Sequence, residues 1–142
     1  ESLPETIEFF ENLGIESDKA DPVMAEFERE QVLDVLRNFD DYPFEGAALR
    51  DGQNRIVAFT AGEVCGDTLV LHIEKMKHSV SGAGETINNY FARYMLSRHP
   101  GITYINREDD SGDPGLRFAK QSYHPAMMLR KYNVLLKENR RS

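Results

Sequence analysis

The chain has 142 residues, 40% of them apolar and 29% charged, a balance that fits one globular domain with a core of its own. Its 17 basic and 24 acidic side chains leave a formal charge of −7, which taken alone argues against a protein that coats nucleic acid or an anionic membrane. No apolar run approaches the roughly 20 residues of a membrane span. The N-terminal stretch is acidic where a signal peptide needs a basic region, so no signal peptide is expected. The single cysteine, Cys65, excludes an internal disulfide, so a reducing, cytoplasmic setting is expected.

The charge is unevenly spread. Residues 1–45 hold 3 basic and 14 acidic side chains, while residues 46–142 hold 14 basic and 10 acidic ones. A solvated acidic helical face accounts for the first part, and the mildly basic remainder is free to meet an anionic ligand.

Pro4 to Leu13 reads as a short helix, with Ile7, Phe10 and Leu13 at helical spacing and Gly14 ending it. Asp21-Pro22 opens a second helix as N-cap and first-turn residue. Val32, Val35, Leu36 and Phe39 form its apolar stripe, and Tyr42-Pro43 breaks it. Phe44–Arg50 and Arg55–Val64 then flank Asp51-Gly52-Gln53-Asn54, a strong hairpin signal. Gly66-Asp67 turns the chain into a third strand, Thr68–Met76. Strict alternation would put Leu69, Leu71 and Ile73 on one face and Val70, His72 and Glu74 on the other. A glycine turn, Ser81-Gly82-Ala83-Gly84, precedes a helix on which Ile87, Tyr90, Phe91, Tyr94 and Met95 are expected in the core. Ile102–Asn106 is a short strand, parallel to the one before the helix because a crossover separates them. Asp113-Pro114 caps a short helix running to about Ser122, and Leu129–Leu136 reads as a last strand. This order predicts an α/β fold: a mixed central sheet, antiparallel meander first and β-α-β crossover second, with helices on both faces.

The glycine turn exposes backbone amides at a helix N-terminus, where an anion is favoured. It lacks the Gly-Lys-Ser/Thr of a P-loop. The densest polar stretch is Asn106 to Lys120. Glu108 and Asp110 there suit a cationic group, and Arg117 and Lys120 suit phosphate. Asp113 is better explained as a cap. With no clustered histidines and no calcium-loop spacing, no metal site is expected. Cys65, beside Gly66 at a strand end, reads as a buried small hydrophobe.

A meander, a Gly-x-Gly turn and a crossover helix resemble the GNAT acyltransferase fold. There the turn pattern is Arg/Gln-x-x-Gly-x-Gly/Ala, and its amides hold the pyrophosphate of acyl-coenzyme A. Gly82 and Gly84 match it, and Ser79 stands where Arg or Gln is usual. Further stretches narrow the likeness. His72-Ile73-Glu74-Lys75, Ile87-Asn88-Asn89-Tyr90-Phe91-Ala92, the run from Tyr104 to Gly112, the run from Gly115 to Pro125 and Lys131-Tyr132 together resemble the phosphatidylglycerol lysyltransferase C-terminal domain family. Many of its members are uncharacterised bacterial proteins.

The resemblance implies transfer of an acyl or aminoacyl group from acyl-coenzyme A or aminoacyl-tRNA to an amine or hydroxyl, with no tightly bound cofactor. It implies Glu74 as general base, with His72 as a second candidate, and Tyr123 as the acid that protonates the leaving group. His124 is a similar candidate. It places the donor phosphate on Ser79, Ser81, Gly82, Ala83 and Gly84. Asn106, Glu108, Asp110, Arg117 and Lys120 are the candidate substrate contacts. Members commonly carry two such domains in tandem. That makes residues 1–142, which begin at Glu1, one domain following an upstream partner, with helices in 1–43 and the sheet core in 44–142. Two alternatives remain open: a non-catalytic binding or structural half, which Ser79 favours, and an ordinary acetyl-CoA N-acetyltransferase.

Overall fold

The computed structural model describes residues 2–14, 22–108 and 114–135. The chain divides into two compact units, residues 1–108 and 109–142.

In the first unit α1 spans Leu3–Leu13 and α2 spans Pro22–Arg37, followed by a single 3-10 turn at Phe39–Asp41. Pro4 lies in the first turn of α1, where its missing N–H costs nothing. The helix ends at Gly14, whose φ of +77° leaves the helical region. The expected cap at Asp21 falls outside the described residues. Arg29 joins the two helices. Its guanidinium donates to the carbonyl oxygens of Phe10 (3.3 Å) and Glu11 (2.9 Å) at the end of α1 and lies over the Phe10 ring.

The sheet has the order β1-β2-β3-β4, with β1 at Glu45–Arg50, β2 at Ile56–Cys65, β3 at Thr68–Met76 and β4 at Tyr104–Asn106. The first three strands are antiparallel and β4 is parallel to β3, as the crossover requires. Asp51 shapes the first hairpin: its Oδ1 accepts from the amides of Gln53 and Arg55, both at 2.9 Å. Gly66, at φ +62°, turns β2 into β3. The crossover helix is α3, Ala83–Arg98.

One sheet face carries α1 and α2, the other α3. Phe10, Val32 and Leu36 pack with Phe59, Ala61 and Ile73 on the first face. Leu69 and Leu71 pack with Phe91 and Met95 on the second, where Ala58 also meets Ala83 and Ile87. The apolar stripe of α3 is narrower than expected: Tyr90 and Tyr94 are exposed, and the Arg98 guanidinium covers Tyr94.

The faces reveal an irregularity that alternation could not show. Leu69 and Leu71 point towards α3, whereas Ile73 points towards α1 and α2. The cause is a β-bulge: Ala61 pairs with Ile73 and Gly62 with Leu71, so His72 is the extra residue on β3. Beyond it every side chain changes face. His72 and Glu74 therefore lie on opposite sides of the sheet rather than the same one. Thr60, buried next to the irregularity, donates its hydroxyl to the Ile73 carbonyl at 2.9 Å.

Glu45 ties β1 to the end of α3, accepting from Arg98 Nε at 2.8 Å and pairing with His99 Nε2 at 2.5 Å. Burial works to raise its pKa, but the His99 and Arg98 hydrogen bonds outweigh it and hold the carboxyl below its ordinary 4.5. A depressed folded-state pKa gives stability that is present above the unfolded value and lost as pH falls through the folded one. Thermal melts from pH 6 down to pH 3 should therefore show an acid-side loss that is smaller in Glu45→Gln than in the parent.

In the second unit α4 spans Pro114–Gln121 and is closed by Ser122, whose hydroxyl donates to the Ala119 carbonyl at 2.6 Å. Residues 129–135 form no strand, contrary to their β-prone composition. A strand exists only with a ladder partner, and no described strand pairs with this segment. Cys65 is exposed at the end of β2, because that last position lies beyond both apolar clusters of the sheet.

Candidate active site at the end of the β3–β4 pairing

β3 and β4 pair at only three positions, Thr68 with Tyr104, Leu69 with Ile105 and Val70 with Asn106. β3 runs on to Met76, but β4 ends at Asn106 and the backbone turns away at Arg107. Asn106 makes that turn: its Oδ1 accepts from the Glu108 amide at 2.8 Å, and Glu108 adopts φ +59°. The turn sends Arg107 and Glu108 to opposite faces, and the bulge at His72 supplies each with a partner.

On the α3 face stands Glu74. Its Oε1 accepts from Asn88 Nδ2 of α3 at 2.9 Å. Arg107 Nη2 meets Oε1 at 3.2 Å and Oε2 at 2.9 Å. The Arg107 and Glu74 side chains are 20% and 19% exposed, so this pair is largely out of bulk water, where charge–charge contacts weigh more than at the surface. The first turn of α3 comes close because residue 84 is glycine. A Cβ there would sit 2.8 Å from Met76 Sδ and 3.8 Å from Glu74 Oε1.

On the opposite face His72 lies between two carboxylates. Its Nε2 is 2.9 Å from Glu63 and its Nδ1 is 2.7 Å from Glu108, and its ring packs on Phe44 with centroids 5.0 Å apart. Both ring nitrogens are engaged by carboxylates, and His72 clasps the Asn106–Glu108 turn to the sheet.

The glycine turn enters α3 through Gly82 at φ +76°, with no side-chain cap. Ser79 and Ser81 are exposed on it, and Ala83 and Gly84 are buried. Nothing would meet a Cβ at Gly82 within 4 Å, so only the backbone conformation demands glycine there. Gly82→Ala should lower stability by about 1 kcal/mol through that left-handed backbone, read as a shift in denaturation midpoint.

Arg117, Lys120, Tyr123 and His124 belong to the second unit. There Arg117 and Lys120 lie three residues apart on α4, and the Tyr123 amide bonds to the Lys120 carbonyl at 3.4 Å. Asp110 and Asp113 fall outside the described residues. Two members of the Glu74 cluster, Asn88 and Arg107, were not singled out by sequence reasoning. Both lie in the stretches that carry the family resemblance, which was the available signal.

Residues 16–135 match the family described as phosphatidylglycerol lysyltransferase, C-terminal. The chain belongs to that family. Among solved structures it resembles a conserved protein of unknown function from Bacteroides thetaiotaomicron, with 32% identity and a TM-score of 0.78. That likeness covers 89% of this chain and 42% of the other, so the family chain described here spans well under half the length of that relative. It also resembles a ribosomal-protein-alanine N-acetyltransferase from Brucella melitensis biovar Abortus, with 13% identity, a TM-score of 0.64, and 94% and 95% of the two chains covered. A third likeness is to AAC(6')-Iy in complex with a bisubstrate CoA analogue, with 9% identity, a TM-score of 0.58, and 96% and 92% covered. The fold is that of the GNAT acetyltransferases. A comparison with curated protein sequences gives no significant match. Among the described residues no helix is long and apolar enough to cross a membrane.

Proposed function

We propose that this domain transfers an acyl or aminoacyl group from a phosphate-bearing donor, acyl-coenzyme A or aminoacyl-tRNA, to an amine or hydroxyl. The observation that carries the reading is the position of Glu74. Its carboxylate lies beside the first turn of α3, on the stretch of β3 whose backbone edge β4 leaves open. A donor whose phosphates rest on the amides of the 81–84 turn would bring its acyl carbon to that region. The acceptor nitrogen or oxygen then attacks the acyl carbonyl carbon, its proton passes to Glu74, and the bond to the donor's sulfur or ribose oxygen breaks as that leaving group takes up a proton. The resemblance adds Tyr123 as the source of the latter proton. The bisubstrate CoA complex of AAC(6')-Iy supports a coenzyme A donor for the fold, and the family description supports an aminoacyl one.

A second reading, a non-catalytic half of a tandem protein, is favoured by Ser79 at the usual Arg/Gln position and by the Arg107–Glu74 bridge. Thermal-shift titration of the full-length protein separates the readings. Stabilisation by acetyl-CoA supports the coenzyme A donor. Binding of aminoacyl-tRNA that weakens steeply with salt supports the aminoacyl donor. A protein that responds to neither is the non-catalytic half.

A further inference from the structure

Asn88 is 8% exposed, and its amide is oriented by Glu74, because only Nδ2 can donate to a carboxylate. Its Oδ1 is buried and has no donor among the described residues. A buried acceptor left without a donor is costly, so it calls for an explanation. The neighbouring ion pair supplies one. Arg107 does not meet Glu74 as a fork, with two nitrogens each on its own oxygen. A single nitrogen, Nη2, reaches both Oε1 and Oε2. A guanidinium makes its strongest carboxylate contact through two parallel bonds, whereas a point donor is what an ammonium provides.

From this we infer that Glu74 and Asn88 form a seat for a primary ammonium group, which Arg107 fills from within the chain when no substrate is present. The seat offers three acceptors, Glu74 Oε1, Glu74 Oε2 and Asn88 Oδ1. A primary ammonium carries three N–H donors, so it satisfies the orphaned amide oxygen as well as the carboxylate. Arg107 is thus a plug and Asn88 a specificity-determining residue. The anchoring of the arm fits this role. Asn106 and the His72–Glu108 pair fix the turn beneath Arg107, so the backbone position of the plug is set independently of its contact with Glu74. Asn88 keeps hold of Glu74 when the plug departs. The inference rests on the reading of Glu74 as the group nearest the reacting nitrogen, and it narrows that reading to substrates bearing an N–H cation. The ammonium can belong to the acceptor amine or to the aminoacyl part of the donor.

The test needs no turnover. In Arg107→Ala, methylammonium chloride at tens of millimolar should raise Tm by several degrees more than tetramethylammonium chloride at equal ionic strength, since the latter has the charge and no N–H. The gain should vanish in Arg107→Ala/Glu74→Gln and shrink in Arg107→Ala/Asn88→Leu. Equal shifts from the two cations, or a gain that survives Glu74→Gln, would overturn the seat. If Arg107→Ala does not fold, Arg107→Lys decides. A tethered ammonium should keep Tm within about 2 °C of the parent, and a loss as severe as unfolding would refute the inference. Glycine methyl ester tested against ethylamine assigns the source: a larger shift by the ester points to the aminoacyl donor, and an equal or larger one by ethylamine to the acceptor. A failed seat alongside intact binding of acetyl-CoA or aminoacyl-tRNA removes only this inference. Failed donor binding removes the transferase reading itself.

Discussion

Glu74→Gln should lower the rate of acyl transfer by about 10²- to 10⁴-fold, the usual contribution of a positioned general base. The amide keeps the shape of the carboxylate and can still bond to Asn88, but it cannot take up a proton. Donor affinity should change little, because the 81–84 turn that would hold the phosphates is untouched. The variant should also be less stable, since Arg107 loses the carboxylate it is largely buried with. A thermal melt run beside the assay separates lost fold from lost chemistry. His72→Gln provides the contrast. His72 lies on the other face and is enclosed by Glu63 and Glu108, so it should affect stability while leaving the pH dependence of transfer unchanged. A Glu74→Gln protein with full activity would remove the carboxylate from the mechanism.

Gly62→Ala should cost about 3 kcal/mol, the upper part of the range for forcing atoms into a packed interior. A Cβ on Gly62 would lie 2.4 Å from the Val70 carbonyl oxygen, 3.2 Å from its carbon and 3.3 Å from Leu71 Cα. These are backbone atoms of the adjacent strand, immediately before the bulge, and they cannot rotate away as a side chain would. The strain is relieved only by moving the strands apart or by shifting the bulge at His72. A one-residue shift of register exchanges the faces of everything beyond it, and so would carry Glu74 away from α3. Gly62→Ala should therefore lose activity together with stability, measured as a denaturation midpoint and a transfer rate on the same preparation. Gly84→Ala should be milder, because its Cβ meets the movable end of Met76. A loss below about 1 kcal/mol for Gly62→Ala would mean that the bulge does not depend on this glycine.

The bulge also marks the boundary of what the sequence made legible. The hairpin at Asp51, the turn at Gly66, the crossover through α3 and the parallel return of β4 all follow from local signals: turn residues, helical spacing, and the chirality of connections. The face of Glu74 does not. Alternation along Thr68–Met76 carries no mark of an extra residue, because a bulge is decided by the partner strand. Here that partner is Gly62, which admits the Val70 carbonyl. For the same reason His72 and Glu74 looked like neighbours. Arg107 was hidden by distance along the chain: 33 residues separate it from Glu74, and the contact exists only through the Asn106 turn. The strand expected at 129–136 failed on composition alone, since Leu, Tyr and Val suit a ladder but cannot supply the second strand. Family resemblance reached further than periodicity. It pointed to Glu74 and to the stretches holding Asn88 and Arg107, without saying that the three would meet.

The proposed transfer requires above all a phosphate-bearing donor resting where α3 begins and Glu74 stands. An amide NMR titration of the full-length protein with coenzyme A and with aminoacyl-tRNA tests this directly. One of these ligands should shift the amides of Ser81, Gly82 and Gly84 first and the Asn88 side-chain amide with them. Binding that leaves all four signals unmoved would contradict a donor resting there.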